Sequence, residues 1–294
     1  MPKQVNFVVL TDQENFFSVY KNVLKSFIDP ILKYLPEGSI SEKSIPDAIN
    51  IHFFQEPVIR QRVQAEVGTS IFMSHGIADK HYRDGYLVKM FDFICVSGPL
   101  WVDKMLKEGI AADKILKVGY TKLDPIFQGV ITRTPHDKKR VLWAPTHANH
   151  VSSYPGFLPY LEKFPSELEV IASPHPFHKQ NRLPTMQELV DADVVISDTG
   201  SLVYEAWAVG KPVIFLDWLI KDAVAGTFED RIYKQKIGLH ADNFDHLIRL
   251  VYRAIDEGVD ARAIEFIDAI FAPGLRGTSG AVTATKLREL AEVH

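Results

Sequence analysis

An α/β fold in two domains, each built on a parallel β-sheet, is predicted by three observations. Short apolar runs alternate with helical patterns along the chain. Most of these runs span four to seven residues and are rich in Val, Ile and Phe, as strands covered on both faces are. Histidines, hydroxyls and carboxylates then collect just after the runs, at one edge of each expected sheet.

The expected strands of the first set are 5–10, 48–54, 69–74, 91–97 and 115–118. Those of the second set are 140–144, 168–173, 193–197 and 212–216. Helical patterns fall between them, at 58–67, 100–108, 201–209 and 245–256. Repeated strand–helix units imply parallel sheets with right-handed crossovers, hence two Rossmann-like domains. A length of 294 residues agrees with two domains at roughly 100–200 residues each. The stretch 128–139 holds Gly129, Thr132, Thr134, Pro135 and a charged run, and marks the boundary. The expected domains are therefore 1–130 and 131–280. The last helix, 281–294, is a candidate to pack back on the first domain.

The stretch 14–35 carries Phe16, Phe17, Tyr20, Val23, Leu24, Phe27, Ile31 and Leu35 at helical spacing. Its plain reading is a crossover helix on the first sheet, with Pro30 near a kink. The sharper, less favoured reading is a membrane-surface helix assisted by Lys21, Lys25 and Lys33.

Composition narrows the function. A net charge of −4 argues against broad nucleic-acid binding, which needs a basic face. The single cysteine, Cys95, excludes an intramolecular disulfide and reads as a buried strand residue. No apolar stretch reaches the ~18–20 residues that span a bilayer, and the N-terminus lacks a secretory pattern. The expected location is the cytoplasm, with peripheral contact at the inner membrane face left open. P-loop, dinucleotide and G-x-S-x-G signatures are absent.

The segment Asp198-Thr199-Gly200-Ser201 ends a strand and opens a helix. The N–H groups of a first helical turn lack intrahelical partners and carry the positive end of the dipole. With Gly200 allowing close approach and two hydroxyls beside it, this is a phosphate site without a P-loop lysine. Glu205, one turn on, is a candidate acceptor for a ribose diol. The plain alternative is an ordinary cap by Asp198 or Thr199, and local sequence does not separate the two.

His75, after a strand and before Gly76, is a candidate general base. Taken alone, a loop histidine bonded to backbone is the commoner case. His175 stands between Pro174 and Pro176, which suits either a preorganised contact or a plain loop. His147/His150 and His175/His178 form two H-x-x-H pairs. Without a cysteine, and in proline-containing loops, they argue weakly for metal, and neither a metal nor a cofactor is expected.

These residues carry a family resemblance. Ser74-His75-Gly76, then Gly119-Tyr120 with Asp124 and Phe127, resemble first-domain motifs of the CDP-glycerol glycerophosphotransferases, which build teichoic acids and related capsule polymers. Second-domain motifs are similar too: Trp143-Ala144-Pro145-Thr146, Pro174-His175-Pro176, Ser197-Asp198 and Gly210-Lys211-Pro212-Val213-Ile214-Phe215. Gly277-Thr278-Ser279 before the last helix resembles the family's ending. The likeness runs from about Thr69 to the C-terminus.

It implies a GT-B-like fold, with two Rossmann-like domains facing across a cleft. It also implies transfer of an alditol phosphate, glycerol phosphate first, from a CDP-activated donor to a polymer or lipid-linked acceptor. His75 and His175 would then be catalytic. Gly76, Thr146, His147, Asp198, Thr199, Gly200, Ser201 and Glu205 would hold the donor. The chain departs from the pattern at His147-Ala148-Asn149-His150, where the family has an aromatic residue and an arginine. The run from Asp198 to Ala206 leans towards UDP-N-acetylglucosamine 2-epimerases and nucleotide-sugar glycosyltransferases. Sugar chemistry on a UDP donor, or a non-catalytic nucleotide-sugar-binding module, therefore remain as alternatives.

Overall fold

A computed structural model describes residues 3–9, 14–54, 68–79, 88–146, 151–174, 185–220 and 225–293, with the backbone alone at 14–21. The chain divides into two compact units. The first comprises Met1–Gly76, Tyr82–Gln128 and Asp268–His294; the second comprises Ile77–His81 and Gly129–Ile267.

The first unit opens with β1 (Val5–Val8), α1 (Glu14–Leu32), β2 (Ser39–Ser41), β3 (Ile49–His52) and β4 (Thr69–Met73). It continues with β5 (Phe93–Val96), α2 (Pro99–Lys107), β6 (Ile115–Lys117) and the short α3 (Asp124–Phe127). Its strands are all parallel, in the order β2-β1-β3-β4-β5-β6. Every residue of β1, β3 and β4 is buried, as expected for strands packed on both faces.

Sequence reading missed β2, because Ser-Ile-Ser has no apolar run to announce it. It forms because Asn6 and Asn50 sit opposite each other in the buried β1–β3 pair and need partners. Asn6 donates to Asn50 Oδ1 at 2.9 Å, and the hydroxyls of Ser39 and Ser41 donate to Asn6 Oδ1 at 3.2 and 2.9 Å.

The second unit holds β7 (Lys139–Ala144), β8 (Leu168–Ala172), α4 (Thr185–Asp191), β9 (Val194–Ser197) and α5 (Ser201–Ala208). Then come β10 (Val213–Leu216), α6 (Phe228–Gln235), β11 (Leu239–Ala241), α7 (Phe244–Glu257) and α8 (Ala261–Ile270), the last three residues of which are grouped with the first unit. The sheet order is β11-β10-β9-β7-β8, again all parallel. Its core runs from Val141 and Trp143 through Val194 and Ile196 to Leu216, with Leu247 and Val251 of α7 packed on it. Counted from its own first strand, this order is 2-1-3-4-5, the order that also begins the first sheet. Connections leave in opposite directions between β1 and β3 and between β7 and β9. Those are the points where open α/β sheets bind ligands.

The chain then returns to the first unit and ends in α9 (Ser279–Val293). Sequence reading had assigned 268–280 to the second domain. The structure groups them with the first, because Ser97 donates to the Ile270 carbonyl at 2.7 Å and accepts Ala272 N–H at 3.2 Å through its own carbonyl. Asp124 then caps α9, accepting Gly280 N–H at 2.7 Å and Ser279 N–H at 3.2 Å. Gly280 has to be glycine, since a Cβ there would lie 2.2 Å from the Pro30 carbonyl oxygen of α1.

Leu24, Phe27, Ile28, Ile31 and Leu35 are at most 1% exposed. The apolar face of the 14–35 stretch is thus spent, over its described half, on the core. That is the plain reading of a crossover helix, for the residues from 22 onward. Among the described residues no helix is long and apolar enough to cross a membrane. Cys95 lies in β5, and burial pushes its thiol up to about 12, far from a reactive range.

Candidate functional site

Thr146 follows β7 and Asp198 follows β9, the two strands that flank the switch point of the second sheet. Asp198 was expected to face a donor; instead it is completely buried. One carboxylate oxygen accepts the backbone N–H of Thr146 and that of Ser153, both at 2.9 Å. Ser197 adds a bond from its hydroxyl to the Ala144 carbonyl at 2.7 Å. Thr146 itself is buried and its N–H is committed to Asp198. Both residues therefore tie the β7 and β9 loops together.

At the start of α5 the N-cap is Gly200, with no side-chain cap. The plain alternative, capping by Asp198 or Thr199, is not what forms. Gly200 has φ 168°, extended backbone open to any residue, so glycine is not demanded by conformation. A Cβ there would meet nothing within 4 Å among the described residues, which leaves open space beside the helix start. Thr199 is 4% exposed, and its buried hydroxyl has no hydrogen-bond partner among the described residues. Glu205, the candidate acceptor for a ribose diol, is 1% exposed.

Ser201 has an unforeseen partner. Its hydroxyl accepts Ile77 N–H at 2.9 Å and Ala78 N–H at 3.3 Å. A hydroxyl has two acceptor lone pairs and one proton, so these bonds leave it the donating role. The same strap, Ile77–Asp79, reaches a second helix start. Asp79 accepts Phe228 N–H at 2.8 Å and its own N–H donates to Glu229 at 3.1 Å. Asp79 and Glu229 are both buried, and burial, then the Asp79 charge, push the Glu229 carboxyl above the usual carboxylate range. Sequence reading missed this strap, although Thr227-Phe228-Glu229-Asp230 carried the signal of a helix start, with Thr227 accepting Asp230 N–H at 3.2 Å.

In the first unit, His75 and Gly76 follow β4 and are half-buried. Nδ1 of His75 lies 2.7 Å from the Phe53 carbonyl, just past the end of β3, and the ring sits 4.4 Å from that of Phe54. A carbonyl only accepts, so Nδ1 carries the proton and Nε2 is the basic nitrogen of the neutral ring. That is the arrangement an oriented general base needs.

His147 and His175, with His150 and His178, lie outside the described residues. Among the described residues no group of three His, Cys, Asp or Glu side chains is placed to hold a metal ion. Several motif residues turn out to be structural. Lys211 donates to the carbonyls of Val190 and Ala192, closing the end of α4. Tyr120 N–H donates to Ser279 Oγ, so Gly119-Tyr120, Asp124 and Gly277-Thr278-Ser279 together seat α9.

Two parallel sheets of this order, each with helices between its strands, settle the architecture. The fold is GT-B-like. No protein-family model matches the chain, and no curated protein does. Solved structures do. The wall teichoic acid polymerase TagF, in a variant soaked with CDPG, aligns at TM-score 0.66 and 13% identity, covering 99% of this chain and 89% of the other. The S. aureus MnaA–UDP co-structure aligns at TM-score 0.58 and 13% identity, covering 99% and 98%. A UDP-GlcNAc 2-epimerase from Neisseria meningitidis, bound to UDP-GlcNAc, aligns at 0.55 and 13%, covering 97% and 100%. At such identities the likeness establishes the shared fold.

Proposed function

We propose that the chain transfers an alditol phosphate, glycerol phosphate first, from a CDP-activated donor to a cell-surface polymer or lipid-linked acceptor. The observation that carries this reading is the open start of α5. There an uncapped first turn, the space beside Gly200 and the Ser201 hydroxyl meet at the carboxyl end of β9. Dipole, backbone N–H groups and a hydroxyl set to donate together suit a pyrophosphate. The fold shared with a teichoic acid polymerase supports the choice of donor.

In this reading Nε2 of His75 takes the proton of the acceptor hydroxyl. The acceptor oxygen bonds to the donor's β-phosphorus as the bond from that phosphorus to the bridging oxygen breaks. CMP leaves with the electron pair, and its charge is met by the donors at Gly200 and Ser201. Positioning and electrostatics do most of the work. His175 is assigned beside the same phosphates by the family resemblance. The enzyme would work in the cytoplasm, on an acceptor at the inner membrane face.

The fold shared with UDP-bound epimerases favours a second reading, sugar chemistry on a UDP donor at the same helix start. The full chain, incubated separately with CDP-glycerol, CDP-ribitol and UDP-N-acetylglucosamine, separates the two. CMP release supports phosphoalditol transfer. UDP release or epimerised sugar supports the second reading, and binding without turnover indicates a non-catalytic module. A chain whose thermal stability no CDP-alditol raises would overturn the first.

A further inference from the structure

We infer that Asp198 is a positioning residue, which anchors the start of α5, where a nucleotide donor would bind, to Thr146 and Ser153 beyond β7. The inference rests on the proposed function and deepens it, moving Asp198 from ligand contact to scaffold. Three observations carry it. Asp198 is 0% exposed, so its carboxylate does not reach a ligand at the surface. One of its oxygens accepts both Thr146 N–H and Ser153 N–H at 2.9 Å, joining the two ends of the segment between them. And Asp198 directly precedes Thr199-Gly200-Ser201, at the opposite side of the switch point from Thr146.

A single carboxylate thus couples the β7 loop to the start of α5. The closure has a second, independent bond: Ser152 Oγ donates to the Thr146 carbonyl at 2.6 Å and accepts Tyr154 N–H at 3.1 Å. Trp143 Nε1 holds the next residue, donating to Ser153 Oγ at 3.0 Å. Hydrogen bonds from backbone N–H to a buried carboxylate are among the stronger ones, because the acceptor is charged and the surroundings are of low dielectric. A ligand held at the start of α5 would lose affinity if that anchor relaxed, although neither Asp198 nor Ser152 need touch it.

The test uses the full chain and three variants, Asp198→Asn, Asp198→Ala and Ser152→Ala, with CDP-glycerol as probe. Asparagine keeps an oxygen in place and loses the charge; alanine loses both bonds. Expected dissociation constants rise in the order wild type, Asp198→Asn, Asp198→Ala. The rise for Ser152→Ala is roughly 3- to 10-fold at near-native thermal stability, and for Asp198→Ala roughly 10- to 100-fold. Amide hydrogen exchange at Thr146 and Ser153 should quicken in Asp198→Ala without ligand. In turnover, KM should rise more than kcat falls. Ser152→Ala covers the case in which Asp198→Ala does not fold. If wild type binds CDP-glycerol and both Ser152→Ala and Asp198→Asn bind it equally well, the inference is overturned. If wild type itself binds no CDP-glycerol, the functional reading fails instead, and exchange at the two amides still reports on the tie.

Discussion

The hydroxyl of Ser201, first residue of α5, accepts the backbone N–H of Ile77 at 2.9 Å, across 124 positions of sequence. With Ala78 N–H on its second lone pair, this oxygen ties down the strap and keeps its one proton to donate. Ser201→Ala should therefore harm two things at once. Leaving Ile77 N–H without its acceptor should cost about 1–3 kcal/mol of stability, read from urea midpoints. Donor affinity should fall by roughly tenfold or more, as for a lost hydrogen bond to a charged group. A variant that loses stability and keeps full affinity would limit Ser201 to the strap.

Gly200 makes the converse case. Space is open beside it and its backbone is extended. Gly200→Val should fold, with stability lowered by about 1 kcal/mol at most, because valine is a poorer N-cap than glycine. Donor affinity should drop much further, since the side chain would fill the space assigned to phosphate. Paired calorimetry and thermal melts check this. Equal affinity in the variant would leave the helix start as an ordinary end.

For His75, the bond from Nδ1 to the Phe53 carbonyl fixes which nitrogen is basic. His75→Ala should cut turnover by roughly 10²–10⁴-fold while donor binding changes little. Single-turnover rates alongside equilibrium binding separate the two. Retention of more than about a tenth of the wild-type rate would remove His75 as the base.

The Asp79–Glu229 pair gives a pH prediction. Burial holds the Glu229 carboxyl above the usual range, so the folded chain binds that proton more tightly than the unfolded chain does. Stability must then fall as pH rises from the unfolded value, about 4.3, through the raised folded value. Glu229→Gln keeps an oxygen for Asp79 N–H and has no proton to lose. Its stability relative to wild type should climb as pH increases from 4 to 8, in urea titrations at each pH. A pH-independent difference would show that Glu229 stays ionised throughout.

Sequence alone determined the α/β class, because buried parallel strands write themselves as short apolar runs. The nine expected runs correspond to β1, β3, β4, β5, β6, β7, β8, β9 and β10, with β7 starting one residue earlier than its run. It also placed Thr146, Asp198 and Ser201 at strand ends and His75 before Gly76, since loops after parallel strands are local features of the chain. It missed β2 (Ser-Ile-Ser) and β11 (Leu-His-Ala), in which no two apolar residues are adjacent.

Only the tertiary structure decided what the polar residues do. Asp198 and Thr199 look alike in sequence as donor contacts; burial makes one a tie between loops and leaves the other's hydroxyl without a partner among the described residues. Gly119-Tyr120 and Gly277-Thr278-Ser279 read as separate family motifs, and they meet across the fold to seat α9. The strap Ile77–Asp79 carries no pattern of its own. Its backbone N–H groups find acceptors on Ser201 and Glu229, and partners so distant in sequence are fixed only when the chain has folded.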